Sequence, residues 1–294
     1  MPTIAALIMY PIKSCAGISL QTARVTEAGL SHAGIFDREW MVIDDAGQFL
    51  TQREHPKMAL IRTSINRSKL VLYAPGIVPL EIPLAQPADG TTRQVQVWDD
   101  TVLASDCGEA SATWLSAILG IACSLVRFHP SARRFANPKW TGDLAVPTLF
   151  SDGYPMLLIS SASLEDLNLK LLAQGRSAVP MNRFRPNIVI DGVAAFEEDY
   201  AESLTIKKIN EANNIGEIGQ TICLKPVKPC PRCPIPAVDQ TTAEVGPNPV
   251  DILQSYRANA LLEGAVTFGM NTILTQGTGQ YLSVGDEVEL ALAF

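Results

Sequence analysis

Lys69-Leu-Val-Leu-Tyr73, Val78-Pro-Leu-Glu-Ile82 and Arg93-Gln-Val-Gln-Val97 follow one another in close succession, with turn residues such as Pro75-Gly76 between them. Runs this short, rich in β-branched and aromatic residues and bounded by Gly and Pro, read as strands. With Ala59–Ser64 just before them, they predict a β-barrel or sandwich and not an α/β sheet. The same signal recurs on both sides. Upstream it marks Ile4–Tyr10, Ser19–Thr26 and Gly34–Asp44. Downstream it marks Cys123–Phe128, Met156–Ile159, Ile188–Ile190, Ser203–Lys207, Ile222–Val227, Ala265–Gly269, Asn271–Thr275 and Asp286–Ala291. Three helices are expected. Ser105–Leu119 carries an apolar stripe of Trp114, Leu115, Ile118 and Leu119 and stops at Gly120. Ser160–Gln174 has Ser161 or Ser163 as its cap and Glu165 in its first turn, and Pro249–Arg257 is short. Asn210–Gly219 reads as a polar hairpin tip. The fold class is therefore mainly β with a few helices (α+β).

A chain of 294 residues with 47% hydrophobic and 18% charged residues can bury substantial cores in one or two domains. Its net charge of −7 argues against nucleic-acid binding through a broad basic surface. A small anion in a local basic pocket stays compatible with it. No apolar run approaches the roughly 18 residues of a membrane helix, and Pro11 interrupts the start too early for a signal peptide. Six irregularly placed cysteines are not the framework of a small secreted domain, so a reducing, cytoplasmic location without membrane association is expected.

Chemistry concentrates in Val227-Lys-Pro-Cys-Pro-Arg-Cys-Pro-Ile-Pro236. Proline fixes φ and lacks a donor, so the stretch reads as a stiff loop, neither helix interior nor central strand. Lys228 and Arg232 lie among its thiols, and nearby cations favour the thiolate, which is both nucleophile and metal ligand. A thioredoxin-like pair needs a following helix, where this chain has Pro234 and Pro236. A zinc site needs four ligands, yet Cys15, Cys107, Cys123, Cys223 and the three histidines are scattered. A third reading has one thiolate anchoring a soft metal whose other ligands belong to a cofactor. Inert thiols in a proline-stiffened loop are the fourth.

Cationic groups recur elsewhere. Pro11-Ile-Lys-Ser-Cys-Ala-Gly17 offers Lys13 and Ser14 on a strand-exit loop, as an anion site or an ordinary turn. Arg38 interrupts an apolar run between Asp37 and Glu39, which favour pairing. Arg185 precedes Pro186, which predicts an extended backbone there. Thr51-Gln-Arg-Glu-His-Pro56 reads as a loop or a pocket rim, and His129–Asp143 as a linker or a lid.

Tyr10-Pro-Ile-Lys-Ser-Cys-Ala-Gly17, Asp37-Arg-Glu-Trp40, Asp106-Cys-Gly-Glu-Ala110, Phe184-Arg-Pro-Asn-Ile-Val-Ile190, Lys228-Pro-Cys-Pro-Arg-Cys233 and Val238-Asp-Gln-Thr-Thr242 stand in this order along the chain. Together they resemble the MOSC-domain proteins that carry an N-terminal MOSC β-barrel domain. That family includes the mitochondrial amidoxime-reducing component and bacterial reductases of N-hydroxylated bases. The resemblance implies two β-barrel-like domains, 1–124 and 125–294, with a molybdenum cofactor (molybdopterin) between them and no pyridoxal phosphate. It also implies that Cys233 is the catalytic thiolate ligand of molybdenum, with Cys230 accompanying it. Lys13, Ser14, Arg38 and Arg185 would bind the pterin and its phosphate, to which arginine brings a planar fork and lysine a point charge.

The implied activity is reduction of small N-hydroxylated molecules such as amidoximes, hydroxylamines or N-hydroxylated bases, the N–O oxygen leaving as water while molybdenum changes oxidation state. The chain lacks the closely spaced cysteines of an appended [2Fe–2S] domain. Electrons are accordingly expected from a separate iron–sulfur, cytochrome or flavin protein. Gly153 and Tyr154 stand where mitochondrial relatives carry hydroxyl side chains, and the relatives' membrane anchor has no counterpart in the sequence. The alternative is a sulfur carrier or cofactor-handling protein with a persulfide on Cys233, since MOSC domains are also fused to cofactor sulfurases. A third is a binding module that keeps the fold without the chemistry.

Overall fold

A computed structural model describes the protein except for residues 67, 86–89, 210–217 and 294 and the side chains of 208, 209 and 218–220. The chain is mainly β with four α-helices among the described residues. Its largest sheet has nine strands. In order they are Ile18–Leu20, Thr3–Met9, Ile188–Asp191, Met156–Ser160, Ala265–Gln276, Ile218–Pro231, Ala201–Ile209 and Glu289–Leu292, with Ala258–Asn259 paired to Ala265–Gln276 off this path. Among the described residues only Met156–Ser160 and Ile188–Asp191 run parallel in it, and the helix Ser161–Ala173 crosses between them. Two four-stranded sheets and a three-stranded one complete the β structure.

The two halves of the sequence share these sheets. The first strand, Thr3–Met9, pairs with Ile188–Asp191, and Tyr281–Ser283 pairs with Thr22–Thr26. Ser124–Phe128, at the expected junction, pairs with Asp100–Asp106 and Trp40–Ile43. Ile4, Leu7 and Met9 of the first strand pack in one core with Leu158, Ile188 and Leu224. Burying such side chains is worth about 1.5–3 kcal/mol each, and through them and its pairing with Ile188–Asp191 the first strand is tied to the second half of the chain as well as to the first.

Several elements differ from the sequence expectation. The proline-rich stretch is not a loop throughout: Ile218–Pro231 is one strand inside the large sheet. Its regular part pairs with Ala201–Ile209 up to Leu224, while the part from Lys225 to Pro231 pairs with Ala265–Gln276 alone. Register shifts fall at Pro226/Lys228 and Pro229/Pro231. Pairing on one side and bulges are the conditions under which a strand tolerates proline. Ala265–Gln276 is likewise continuous, because a side chain at Gly269 would collide with the Leu158 carbonyl at 2.7 Å, so glycine here permits close pairing and does not break the strand.

Gly34–Asp44 is two strands, Ile35–Phe36 and Trp40–Ile43, split at Arg38, whose φ is +49°. Ser105–Leu119 divides into the end of a strand and the helix Glu109–Leu119, with Gly120 ending it at φ +74° as expected. Ser160, not Ser161 or Ser163, caps the next helix, because its Oγ accepts from the Ser163 amide at 3.1 Å, and that helix has no acid in its first turn. The last helix shortens to Val250–Gln254. The expected hairpin tip falls almost wholly on 210–217, outside the described residues.

Candidate functional site

Strand ends and turns from both halves converge on a cleft of about 370 Å³. Lys13, Ser14, Arg38, Arg185 and Cys233 all line it, as do Thr51 and Arg53 of the expected rim. Six of the lining residues are cationic (Lys13, Arg38, Arg53, Arg185, Lys228 and Arg232), and Asp152 is the lone carboxylate among those described. A protein of net charge −7 thus concentrates positive charge in one concavity, where low-dielectric walls focus the field.

The inner wall is built on Tyr10, at the end of the first strand. Its ring is buried, and the Arg38 and Arg185 guanidiniums stack on it at 4.4 and 4.3 Å from the centroid. Gly17 makes room for this ring, since a Cβ there would meet it at 2.6 Å. Burial pushes the Tyr10 hydroxyl up to about 12, against the pull of the arginines, so it stays protonated. Arg38 pairs with the buried Asp37 and donates to Asn187 Oδ1 at 2.9 Å. Asp37 also accepts from the Tyr10 amide at 2.7 Å and from Asn187 Nδ2 at 2.9 Å. Burial works against the Arg38 charge, but Asp37 more than offsets it and Arg38 stays protonated. The flanking acid therefore pairs with Arg38 while the guanidinium still reaches the cleft.

Arg185 is different. Both its terminal nitrogens are buried without a hydrogen-bond partner, and no carboxylate pairs with it among the described residues. Its backbone has φ +56°, so the extended conformation expected before Pro186 is not what forms. Ser14 at φ +64° and Arg38 share this left-handed region. With Trp98 at φ +55°, four non-glycine lining residues are held there around one cleft, which marks a site where surrounding contacts impose the backbone. At Arg185 those contacts are the Tyr10 ring and the Arg38 guanidinium, which donates to the Arg185 carbonyl.

Lys13 is buried and donates to the Phe150 carbonyl at 2.8 Å and to Asp152 at 2.5 Å. Burial lowers its pKa, and Asp152 counters that. Asp152 is held below the usual carboxylate range by Lys13 despite its own desolvation. The loop bearing Asp152 is fixed by Arg134, which donates to the carbonyls of Leu149, Ser151 and Asp152 and pairs with Asp100 at 2.7 Å. The segment His129–Asp143, expected as linker or lid, thus holds a buried structural arginine and the helical turn Pro138–Thr141.

The cysteine arm forms another wall. Arg232 donates to Cys230 Sγ at 3.3 Å and to the Phe184 carbonyl at 3.0 Å. Burial pushes the Cys230 thiol up, and Arg232 only partly offsets this. Cys233 is half-buried on the cleft. Beyond it, Asp239 accepts from the amides of Thr241 and Thr242 and pairs with Arg183 at 2.7 Å, while Arg183 also donates to the Pro236 and Ala237 carbonyls. Gln240 exchanges amide hydrogen bonds with the buried Gln52, which donates to the Ser14 carbonyl at 2.7 Å. The sequence motif Val238–Thr242 is therefore a clasp that fixes the cysteine arm against the Ser14 turn.

Residues 1–122 match the MOSC N-terminal beta barrel domain, and residues 146–289 match the MOSC domain. The mitochondrial amidoxime-reducing component 1 of Mus musculus is 34% identical over 87% of this chain and 71% of its own length. The human component 1 is 33% identical over 98% of this chain and 82% of its own length. The chain belongs to the MOSC family. Human molybdenum cofactor sulfurase is also similar, 30% identical over 97% of this chain but only 32% of that protein.

This MOSC cleft draws Lys13, Ser14, Arg38, Thr51, Arg53 and Trp98 from the first matched region and its other lining residues from the second. Its donor set suits a pterin-bound metal on two counts: a thiol provides a soft ligand, and the unpartnered Arg185 guanidinium is a vacant fork for a phosphate. Among the described residues no group of three or more His, Cys, Asp or Glu is assembled around a metal position, so a metal here would need ligands from outside the protein. No described helix is long and apolar enough to cross a membrane.

The sequence reading passed over Tyr10, Gln52, Trp98, Arg134 and Asp152. Each acts through a partner far along the chain, and of the five Tyr10 and Gln52 stand in stretches quoted above.

Proposed function

We propose that the protein is a molybdenum-cofactor-dependent reductase of N-hydroxylated substrates, supplied with electrons by a separate protein. The observation that carries this reading is the convergence of Lys13, Ser14, Arg38, Arg185 and Cys233, from both ends of the chain, on one cationic cleft. The names of its amidoxime-reducing relatives support it. In this reading Lys13, Arg38 and Arg185 hold the pterin phosphate, Ser14 adds a hydroxyl, and the Cys233 sulfur is the protein's ligand to the metal. When bound, the cofactor supplies the two-electron chemistry that removes the N–O oxygen as water.

The remaining residues orient and insulate. Asp37 and Asn187 hold Arg38 in place, the Gln52–Gln240 clasp fixes the Ser14 turn, and Arg183–Asp239 fixes the exit of the cysteine arm. Cys230, kept as a thiol by burial, shapes the arm and leaves the ligand role to Cys233. Asp152 stays ionised against Lys13, so it orients that ammonium and does not supply protons.

The similarity to molybdenum cofactor sulfurase favours one rival, a carrier with a persulfide on Cys233. Metal and sulfur analysis of protein made in a cofactor-competent host separates them. The reductase reading expects near-stoichiometric molybdenum that disappears in Cys233→Ser, and turnover of N-hydroxylated compounds with a chemical reductant. Metal-free protein releasing sulfur from Cys233 on cyanide treatment would replace it with the carrier.

A further inference from the structure

The cationic lining exceeds what the proposed cofactor contacts use. Lys13 is balanced by Asp152 and Arg38 by Asp37. Arg185 belongs to the phosphate cradle, and Arg232 is tied to Cys230 and the Phe184 carbonyl. Arg53 and Lys228 remain. Neither has a carboxylate partner among the described residues. Arg53 is anchored through Nε, which donates to the buried Thr51 hydroxyl at 3.2 Å, and its guanidinium lies on the Trp98 ring at 4.8 Å. Lys228 Nζ sits 5.8 Å from the centre of the Tyr154 ring.

Trp98 is an unusual rim residue. It is 43% exposed and has φ +55°, a strained position for an aromatic residue. Its indole N–H donates to Asp152 at 3.1 Å, and Phe49 meets it edge-on at 5.0 Å. The ring is thus held in a fixed orientation while part of its surface stays in solvent. A fixed aromatic surface beside an unpaired guanidinium fits a planar ring that carries negative charge.

We propose that the cleft mouth selects planar N-hydroxylated substrates bearing an acidic group, which Arg53 on Trp98 and Lys228 beside Tyr154 bind together. The term N-hydroxylated rests on the proposed function; the preference for a planar anion rests on the rim alone. Neutral analogues enter less readily, and protonated amidines are repelled by the same charges.

The test uses unreactive probes, so it reads binding whether or not the protein turns over. Adenosine and adenosine 5′-monophosphate are titrated calorimetrically into wild type, Arg53→Gln and Arg185→Ala at low salt. The monophosphate is expected to bind wild type at least about ten-fold more tightly than the nucleoside, the range of a hydrogen bond to a charged group. Most of that advantage should vanish in Arg53→Gln, persist in Arg185→Ala, and shrink as salt is raised. Equal affinities in wild type would overturn the proposal. So would an advantage that follows Arg185 and ignores Arg53, since the phosphate would then occupy the inner cradle. An Arg53→Gln variant that keeps the advantage but loses reduction by a protein donor would reassign the rim to donor docking, which also overturns it. Failure of the reductase reading shows separately, as absent molybdenum or absent turnover.

Discussion

The inner cradle and the cysteine arm reach the same cleft by opposite means. The cradle is buried, ion-paired and held in left-handed backbone conformations at Ser14, Arg38 and Arg185. The arm is a strand to Pro231 that has lost one neighbour and bulges at its prolines, then runs on to Cys233, with both cysteines partly buried. In the cradle, Asp37 and Asp152 hold and offset the charges of Arg38 and Lys13, whereas Arg185 has no such partner among the described residues. The arm is held on one side by Ala265–Gln276 and beyond Cys233 by the Arg183–Asp239 pair and the Gln52–Gln240 clasp.

The sharpest contrast lies within the cradle. Asp37→Ala should cost about 3–5 kcal/mol in chemical denaturation, because it leaves the Arg38 charge buried and uncompensated. Arg185→Ala should lose clearly less stability, since its terminal nitrogens strand no partner, yet lower cofactor occupancy about ten-fold or more. Full occupancy in Arg185→Ala would remove its assignment to the phosphate.

A smaller effect separates the two thiols of the arm. Burial raises the Cys230 pKa, so its thiolate is scarcer at neutral pH than that of a free cysteine. In Cys233→Ser, alkylation of Cys230 should be slow at neutral pH and still accelerating above about pH 9. A rate that levels off below pH 8 would contradict the buried-thiol assignment. The smallest effect is expected at Pro229→Ala. Freeing a residue whose φ proline fixes should lower stability by about 0.4–1 kcal/mol in thermal unfolding, chiefly through the unfolded chain.

Much of this contrast was legible in the sequence, though unevenly. The β-rich class followed from short runs such as Lys69–Tyr73, which is a strand as read, with Leu70, Val71 and Leu72 buried. Lys13, Ser14, Arg38, Arg185 and Cys233, the candidates that the family resemblance implied, do line one cleft. What pattern could not supply was pairing at long range. Pro229 and Pro231 argued against a strand because the sequence does not show which side of it lacks a neighbour. Pro186 argued for an extended Arg185, but stacking on Tyr10 and the hydrogen bond from Arg38 override that local preference. Asp37 was legible as a partner for its neighbour Arg38; its bond to Asn187, 150 positions away, was not.

The central claim is that the cradle and the arm hold one metal-bearing cofactor, with Cys233 alone as the protein's ligand to it. Molybdenum-edge X-ray absorption on wild type, Cys233→Ser and Cys230→Ser, each loaded as fully as it will load, tests this directly. The account predicts that Cys230→Ser keeps the wild-type sulfur count around molybdenum and that Cys233→Ser loses one sulfur or the metal altogether. An unchanged metal content and sulfur count in Cys233→Ser would contradict it.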